Sequence, residues 1–338
     1  MMYGAPVLAA SIAYYTEVWL RPIHGSGGLF TDFEQASCGE FYPFTMLEDF
    51  KQSLDRRFEL FVCGKLRVQD ILQRPDDLVM YAVASFIQRL PMPKVGDDQQ
   101  IPVSGTLGCC SSLPLGMGTG SWTAAIAATF ALYENMFNET VTPEERIEQI
   151  RFCERLRHGK GNAIDASSVV YGGVSRVDGD QVSRPIIPRH HSLWRGDGWY
   201  WMSNGRPVSS IGECVTAVRR AYEKDVALWQ EFSSCTNALQ SDLETCANPI
   251  KTLRHNHRLL VRIGVVPPAT QSFVKAVERA GGAAKVCGAG SIRGEQGGVV
   301  LIYMEDENAM KALMTDYVNL RWASLKISAS GTAQGAAP

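Results

Sequence analysis

The chain has 338 residues, 33 Lys and Arg against 35 Asp and Glu for a net charge of −2, and an apolar fraction of 45%. That length suits roughly two domains, and the charge balance supplies no basic surface of the kind that holds nucleic acid or an anionic membrane. No apolar run reaches the ~18 residues that span a bilayer, and nine cysteines without a C-x-x-C pair read as reduced thiols of a cytoplasmic protein rather than a disulfide framework.

The opening segment 1–13 has no basic start of the kind a secretion signal carries, Arg21 being the first Lys or Arg, and reads as mature structure. Residues 12–20, rich in β-branched and aromatic side chains, predict a strand closed by Pro22 and the Gly25–Gly28 turn. A helix is expected at 47–54, an apolar run at 58–66 is ambiguous, and 76–90 is an amphipathic helix with Leu78, Tyr81, Phe86 and Leu90 at helical spacing. Residues 100–106 alternate as a strand leading into Leu113-Pro-Leu-Gly-Met-Gly-Thr-Gly-Ser121. Gly116, Gly118 and Gly120 remove Cβ atoms where a backbone would wrap an anion. The run from Trp122 to Phe137 has neither proline nor glycine and predicts a helix whose positive end faces that loop. Loop and helix together make a candidate phosphate site. No Gly-Lys-Ser/Thr closes the loop, so it is not a Walker loop, and no acidic residue about 20 positions on supports a dinucleotide fingerprint.

Thr142-Pro-Glu-Glu marks a further helix start, with a Thr cap, Pro at the first position and carboxylates at the positive end. That helix is expected to end at His158-Gly159. Short strands follow at 167–171, 183–187 and 199–202, then helices over 214–246, 249–263 and 271–281. Strands at 284–287 and 298–303, a helix over 306–317 and a strand at 322–327 complete the pattern. The small, polar tail 328–338 is expected to be disordered.

Two carboxylates stand out. Glu154 falls in the last turn of the Thr142 helix, where the dipole disfavours a negative charge by ~0.3–1 kcal/mol if exposed. Its compensation is either Arg151, Arg155 and Arg157 nearby or a metal ion, and the residues alone leave both readings open. Asp165 lies eleven residues on, in a loop with Gly161 and Asn162, and reads equally as a turn or cap residue. His158 before a glycine reads as a helix C-terminal residue rather than a base. His190-His191 has no second ligand pair at zinc spacing, so no zinc site is expected.

Four stretches in order resemble the GHMP superfamily of small-molecule kinases, with the closest likeness to mevalonate kinases. They are Met2-Tyr-Gly-Ala-Pro-Val-Leu-Ala-Ala-Ser-Ile12, the glycine loop, Glu154-Arg-Leu-Arg-His-Gly159 through Asp165 and Tyr171-Gly-Gly173, and Asn256-His-Arg-Leu-Leu260 through Pro268 with Ala284-Lys-Val-Cys-Gly-Ala-Gly290. The resemblance implies an α+β fold of two lobes: an N-terminal lobe over 1–194 like ribosomal protein S5 domain 2, and a ferredoxin-like C-terminal lobe over 195–327. It implies ATP and Mg²⁺ as cofactors and a mevalonate-like alcohol as substrate, in an enzyme that is neither membrane-bound nor nucleic-acid-binding and that a homodimer would suit. Leu115, Gly116, Met117, Gly118, Thr119, Gly120 and Ser121 would cradle the phosphates. Glu154 and Ser121 would hold Mg²⁺, Asp165 would act as general base, and Asn162 and Asn204 would contact the substrate.

The chain departs from the family pattern at four places. The Gly-Lys-x4-Gly-Glu-His segment, bearing a catalytic lysine, would fall ahead of Met1, together with most of a first strand whose absence leaves a neighbouring edge unpaired. Trp122 stands where the family has a second, metal-binding serine, so Ser121 is expected to serve. Gly161-Asn162-Ala163 replaces Pro-Ser-Gly before the catalytic aspartate, beside a new Lys160 read as a solvated loop residue. The last glycine run has become the longer, charged Gly290-Ser-Ile-Arg-Gly-Glu-Gln-Gly297. These departures keep an alternative open: a catalytically impaired relative that binds nucleotide or metabolite without turnover.

Overall fold

The computed structural model describes residues 4–34, 37–90, 103–112 and 120–332. In chain order the elements of its first half are β1 (Val7–Ala10), β2 (Thr16–Pro22), β3 (Gly28–Phe33), β4 (Ser37–Pro43), α1 (Leu47–Val62), α2 (Asp77–Ile87), β5 (Gly105–Ser111), α3 (Ser121–Met136), α4 (Pro143–His158) and α5 (Ala163–Tyr171). Then come β6 (Val174–Asp178), β7 (Gln181–Ser183), α6 (Ser192–Arg195), β8 (Trp199–Asn204), α7 (Ile211–Tyr222), α8 (Val226–Thr245), α9 (Ile250–Arg262), α10 (Pro268–Arg279), β9 (Ala283–Val286), β10 (Gly298–Tyr303), α11 (Glu307–Met314) and β11 (Arg321–Ser324). The chain packs as two compact units. Of the described residues, the first comprises 14–34, 37–90, 103–112, 120–171 and 330–332; the second comprises 4–13 and 172–329. The division thus falls at Tyr171/Gly172, ahead of residue 194, and the opening segment joins the second unit because β1 pairs with β6 (Val7 opposite Val177).

The first unit is built on the sheet β2-β5-β3-β4, in which β3 and β5 run parallel and the other neighbours antiparallel. Every residue of α2 from Asp77 to Phe86 is buried, as befits a helix that is apolar nearly all round. Phe86 meets Tyr133 and Phe130 of α3 at ring separations of 5.6 and 6.5 Å. Burying each such side chain contributes about 1.5–3 kcal/mol.

Helix α3 also carries the fully buried Glu134, which pairs with Arg146 of α4. Removing one partner of a buried pair strands the other charge. Arg146→Ala is therefore expected to cost about 3–5 kcal/mol of unfolding free energy in urea denaturation, whereas Glu134→Gln with Arg146→Met should lose much less. Equal losses in both proteins would remove this pair from the account of how α3 and α4 are held.

The second unit contains the antiparallel sheet β11-β8-β10-β9 and the three-stranded sheet β1-β6-β7. The chain order β8, helices, β9, β10, α11, β11 and the strand order just given are those of a ferredoxin-like βαββαβ unit, as expected. Its core sets Met202, Val286, Val300 and Ile302 of the sheet against Leu259, Phe273, Val274 and Val277 of α9 and α10.

Several local expectations are corrected. The strand expected at 12–20 is β2, which starts only at Thr16 and runs to Pro22, and β1 lies ahead of the expected range at Val7–Ala10. Strands β3 and β4 were not expected, although Leu29, Thr31 and Phe33 alternate inward. The ambiguous run at 58–66 is largely the end of α1, and the strand expected at 100–106 is β5, beginning only at Gly105. Residues 167–171 close α5 rather than form a strand; Val169 and Val170 favour extended backbone, but helical packing overrides that preference. The strand expected at 183–187 lies earlier, as the β6–β7 hairpin. The helix expected over 214–246 breaks before Asp225, which caps α8 by accepting from the Leu228 N–H at 3.0 Å. Within the tail expected to be disordered, the Thr332 N–H donates to the Val169 carbonyl at 2.8 Å; residues 333–338 lie outside the described residues.

Candidate active site

The first unit positions two carboxylates around the start of α3. Gly120 caps that helix in the left-handed region (φ 72°), and the Ala124 N–H donates to the Gly120 carbonyl at 2.9 Å as the helix begins. The positive end of the α3 dipole therefore lies at Gly120 and Ser121. A Cβ added to Gly120 would stand 3.9 Å from Asp165 Cβ and 4.0 Å from its Cγ, so the Asp165 side chain is packed against this helix start.

Glu154 arrives there by a different route. A capping box fixes the start of α4: the Glu145 N–H donates to Thr142 Oγ1 at 3.2 Å, and Glu145 Oε2 accepts from the Thr142 N–H at 2.9 Å. Near its other end, Arg155 binds Asp55 Oδ1 of α1 at 2.7 Å and Tyr81 OH of α2 at 2.9 Å. The neighbouring Glu154 is 1% exposed and bonds the other way, its Oε1 accepting from Thr123 Oγ1 of α3. After Gly159, Gly161 lies so close to Arg151 that an added Cβ would stand 2.0 Å from the Arg151 carbonyl oxygen. Asn162 Oδ1 then accepts from the Ile164 N–H at 2.8 Å, which starts α5 and places Asp165 in its first turn rather than in the loop expected for it.

The electrostatics follow from this packing. Burial, and next the negative charge of Asp165, push the Glu154 carboxyl up to about 8; the Thr123 bond and Arg157 pull the other way. Burial also raises Asp165 above the ordinary aspartate range. His158 is pushed down to about 4 by burial and by Arg157, so it is neutral at pH 7 and brings no positive charge. Among the described residues, Glu154 Oε2 is buried with no hydrogen-bond partner.

A buried carboxylate with one unused oxygen, beside a second carboxylate, fits a cation. Among the described residues no cluster of three or more His, Cys, Asp and Glu side chains could hold a metal by itself. The donor set therefore suits Mg²⁺, which takes one or two protein carboxylates and completes its octahedron with phosphate oxygens and water.

Comparison with known proteins bears on the same architecture. No family profile matches the chain. Over 198 residues it is 28% identical to a mevalonate kinase of Thermococcus sibiricus, covering 55% of this chain and 57% of that protein. Over 203 residues it is 22% identical to a mevalonate kinase of Methanocaldococcus jannaschii, covering 60% and 62%. The chain thus spans less than two thirds of the length of these curated relatives. Among solved structures, the Methanococcus jannaschii mevalonate kinase aligns over 96% of this chain and 92% of its own, with a TM-score of 0.70 and 15% identity. A Lactococcus lactis galactokinase complexed with galactose aligns over 98% and 90%, with a TM-score of 0.66 and 13% identity.

The chain has the GHMP kinase fold. In sequence it is similar to mevalonate kinases, the likeness read from its motifs.

Of the residues assigned by the GHMP resemblance, Leu115, Gly116, Met117, Gly118 and Thr119 lie outside the described residues. The first unit holds Gly120, Ser121, Glu154, Asn162 and Asp165. Among these, Gly120 and Asp165 are in packing contact, and Glu154 is coupled to Asp165 by charge. Ser121 is buried in the first turn of α3, Trp122 lies under the Arg157 guanidinium at 5.4 Å, and Lys160 is exposed as expected. Asn204 belongs to the second unit, where its Nδ2 donates to Thr270 Oγ1 at 2.6 Å. Sequence reasoning missed Thr123. The available signal was weak, one of several hydroxyls on a largely apolar helix, although a buried polar group is nearly always bonded to something.

Proposed function

We propose that the chain is an ATP-dependent, Mg²⁺-assisted kinase for a small alcohol, with mevalonate as its acceptor. The observation that carries this reading is the meeting of Asp165 with the N-terminus of α3, beside Glu154 and its unused oxygen. Phosphoryl transfer needs positioned oxygens and neutralised charge more than covalent chemistry. The amides at Gly120 and Ser121, with residues 115–119 of the loop, would receive the phosphates. Glu154 would hold Mg²⁺, which when bound neutralises charge on the phosphate oxygens. Asp165, its carboxyl already raised toward a useful range, would take the proton of the attacking hydroxyl. Asn162 spends its Oδ1 on starting α5 and would offer its amide nitrogen to the acceptor.

Mevalonate is favoured by the curated relatives, both mevalonate kinases. Galactokinase and homoserine kinase share the fold and supply the acceptors to compete against it. A cytoplasmic enzyme, with a homodimer as the assembly to test, goes with this reading. Among the described residues no helix is long and apolar enough to cross a membrane, and eight cysteines are free thiols.

Trp122 favours a second reading, since its indole offers no oxygen where the resemblance puts a cation-binding hydroxyl: a protein that binds nucleotide without turnover. ADP release by the purified chain with ATP, Mg²⁺ and each of mevalonate, galactose and homoserine separates the two. Mevalonate-dependent release is expected. Binding of a fluorescent ATP analogue with no acceptor-dependent release would favour the second reading.

A further inference from the structure

Thr123 is 2% exposed, in the first turn of α3, and its Oγ1 donates to Glu154 Oε1. The other oxygen of that carboxylate, Oε2, is buried and has no hydrogen-bond partner among the described residues. The two oxygens are therefore not equivalent: one is tied to a helix that begins at Gly120, the other is available. We infer that Thr123 is the positioning residue of the cation site, a role distinct from that of the Mg²⁺ ligand the resemblance implies for Ser121. The inference rests on the kinase reading above.

The argument is geometric. A glutamate reaching out from α4 has three side-chain torsions, and holding them for a ligand costs rotamer freedom. A hydroxyl bonded to Oε1 spends that freedom before the cation arrives, and it orients Oε2 without competing for it. Trp122, stacked under Arg157, has no oxygen with which to share the task. Threonine is well suited here, because its branched Cβ limits χ1 and so fixes where Oγ1 points. Partners that orient a ligand in this way typically change metal affinity about 10–100-fold when removed.

The test is Mn²⁺ binding to the purified full chain with ADP present, followed by the electron paramagnetic resonance of free Mn²⁺. Thr123→Val is expected to weaken Mn²⁺ binding about 10–100-fold, while metal-free ADP binding stays at the wild-type value. Thr123→Ser, which keeps the hydroxyl, should restore most of the affinity. If Thr123→Val does not fold, as judged by circular dichroism, Thr123→Ala takes its place. Wild-type affinity in a folded valine or alanine variant overturns the inference, as does a serine variant no better than valine. A wild-type chain that binds no Mn²⁺ in the presence of ADP defeats the cation site itself, a result distinct from failure of the Thr123 assignment.

Discussion

Asp165→Asn is expected to lower acceptor phosphorylation about 10²–10⁴-fold, the range a positioned general base contributes, while ADP affinity changes little. Asparagine keeps the shape of the side chain, so the packing against Gly120 should survive and α5 should still start at Asn162. What is lost is the ability to accept a proton. Removing the charge also removes one of the two influences that raise Glu154, so cation and nucleotide binding should be preserved. The measurements are single-turnover phosphorylation of mevalonate and ADP binding by calorimetry on the same preparations. Turnover at the wild-type rate would take the base away from Asp165. Joint loss of turnover and ADP binding would instead assign the residue to the architecture of the helix start.

The uneven legibility of this chain has physical causes. Helices α2 and α4 announce themselves through periodicity and caps, and the Thr142 box is formed as its four residues suggest. The spacing from Glu154 to Asp165 was readable only through the GHMP resemblance, because the residues alone left arginines and a cation equally open as compensation for a carboxylate near a helix C-terminus. The sequence did not reveal that α5 begins before Asp165. That start depends on the Asn162 side chain bonding the Ile164 amide, a local bond that competes with a turn reading of the same residues. Strand β3 was hidden because its inward alternation is short and follows a glycine-rich turn. Thr123 was invisible for a further reason. Its bond to Glu154 joins residues 31 positions apart, and no periodicity in one chain reports a contact between two helices.

Glu154→Gln should produce the second large effect, and its pH dependence has a definite sign. Burial and Asp165 hold the carboxyl near 8, against 4.5 for an unperturbed glutamate. Between those values the folded chain keeps a proton that the unfolded chain has released. The stability contributed by this group is therefore complete below about pH 4.5 and declines as pH rises, by at most about 1.4 kcal/mol per pH unit, until pH passes about 8. Glutamine is uncharged throughout and has no such slope. In the absence of metal, the variant should match the wild type near pH 5 and exceed it at pH 8.5 by a margin on the order of a few kcal/mol. His158 works in the opposite sense: pushed down to about 4 from 6.5, it loses stability as pH falls through that interval. It is common to both proteins and cancels in the difference. Urea denaturation across pH 5–8.5 measures that difference, and parallel profiles would show that Glu154 is not held protonated by the fold. Adding Mg²⁺ and ADP at pH 8.5 should reverse the order. The wild type then recovers, because a cation compensates the buried carboxylate, and the glutamine variant gains little and loses acceptor phosphorylation. A residue whose removal stabilises the empty protein and disables the loaded one is spending folding energy on its ligand, which an arginine-paired surface glutamate would not do.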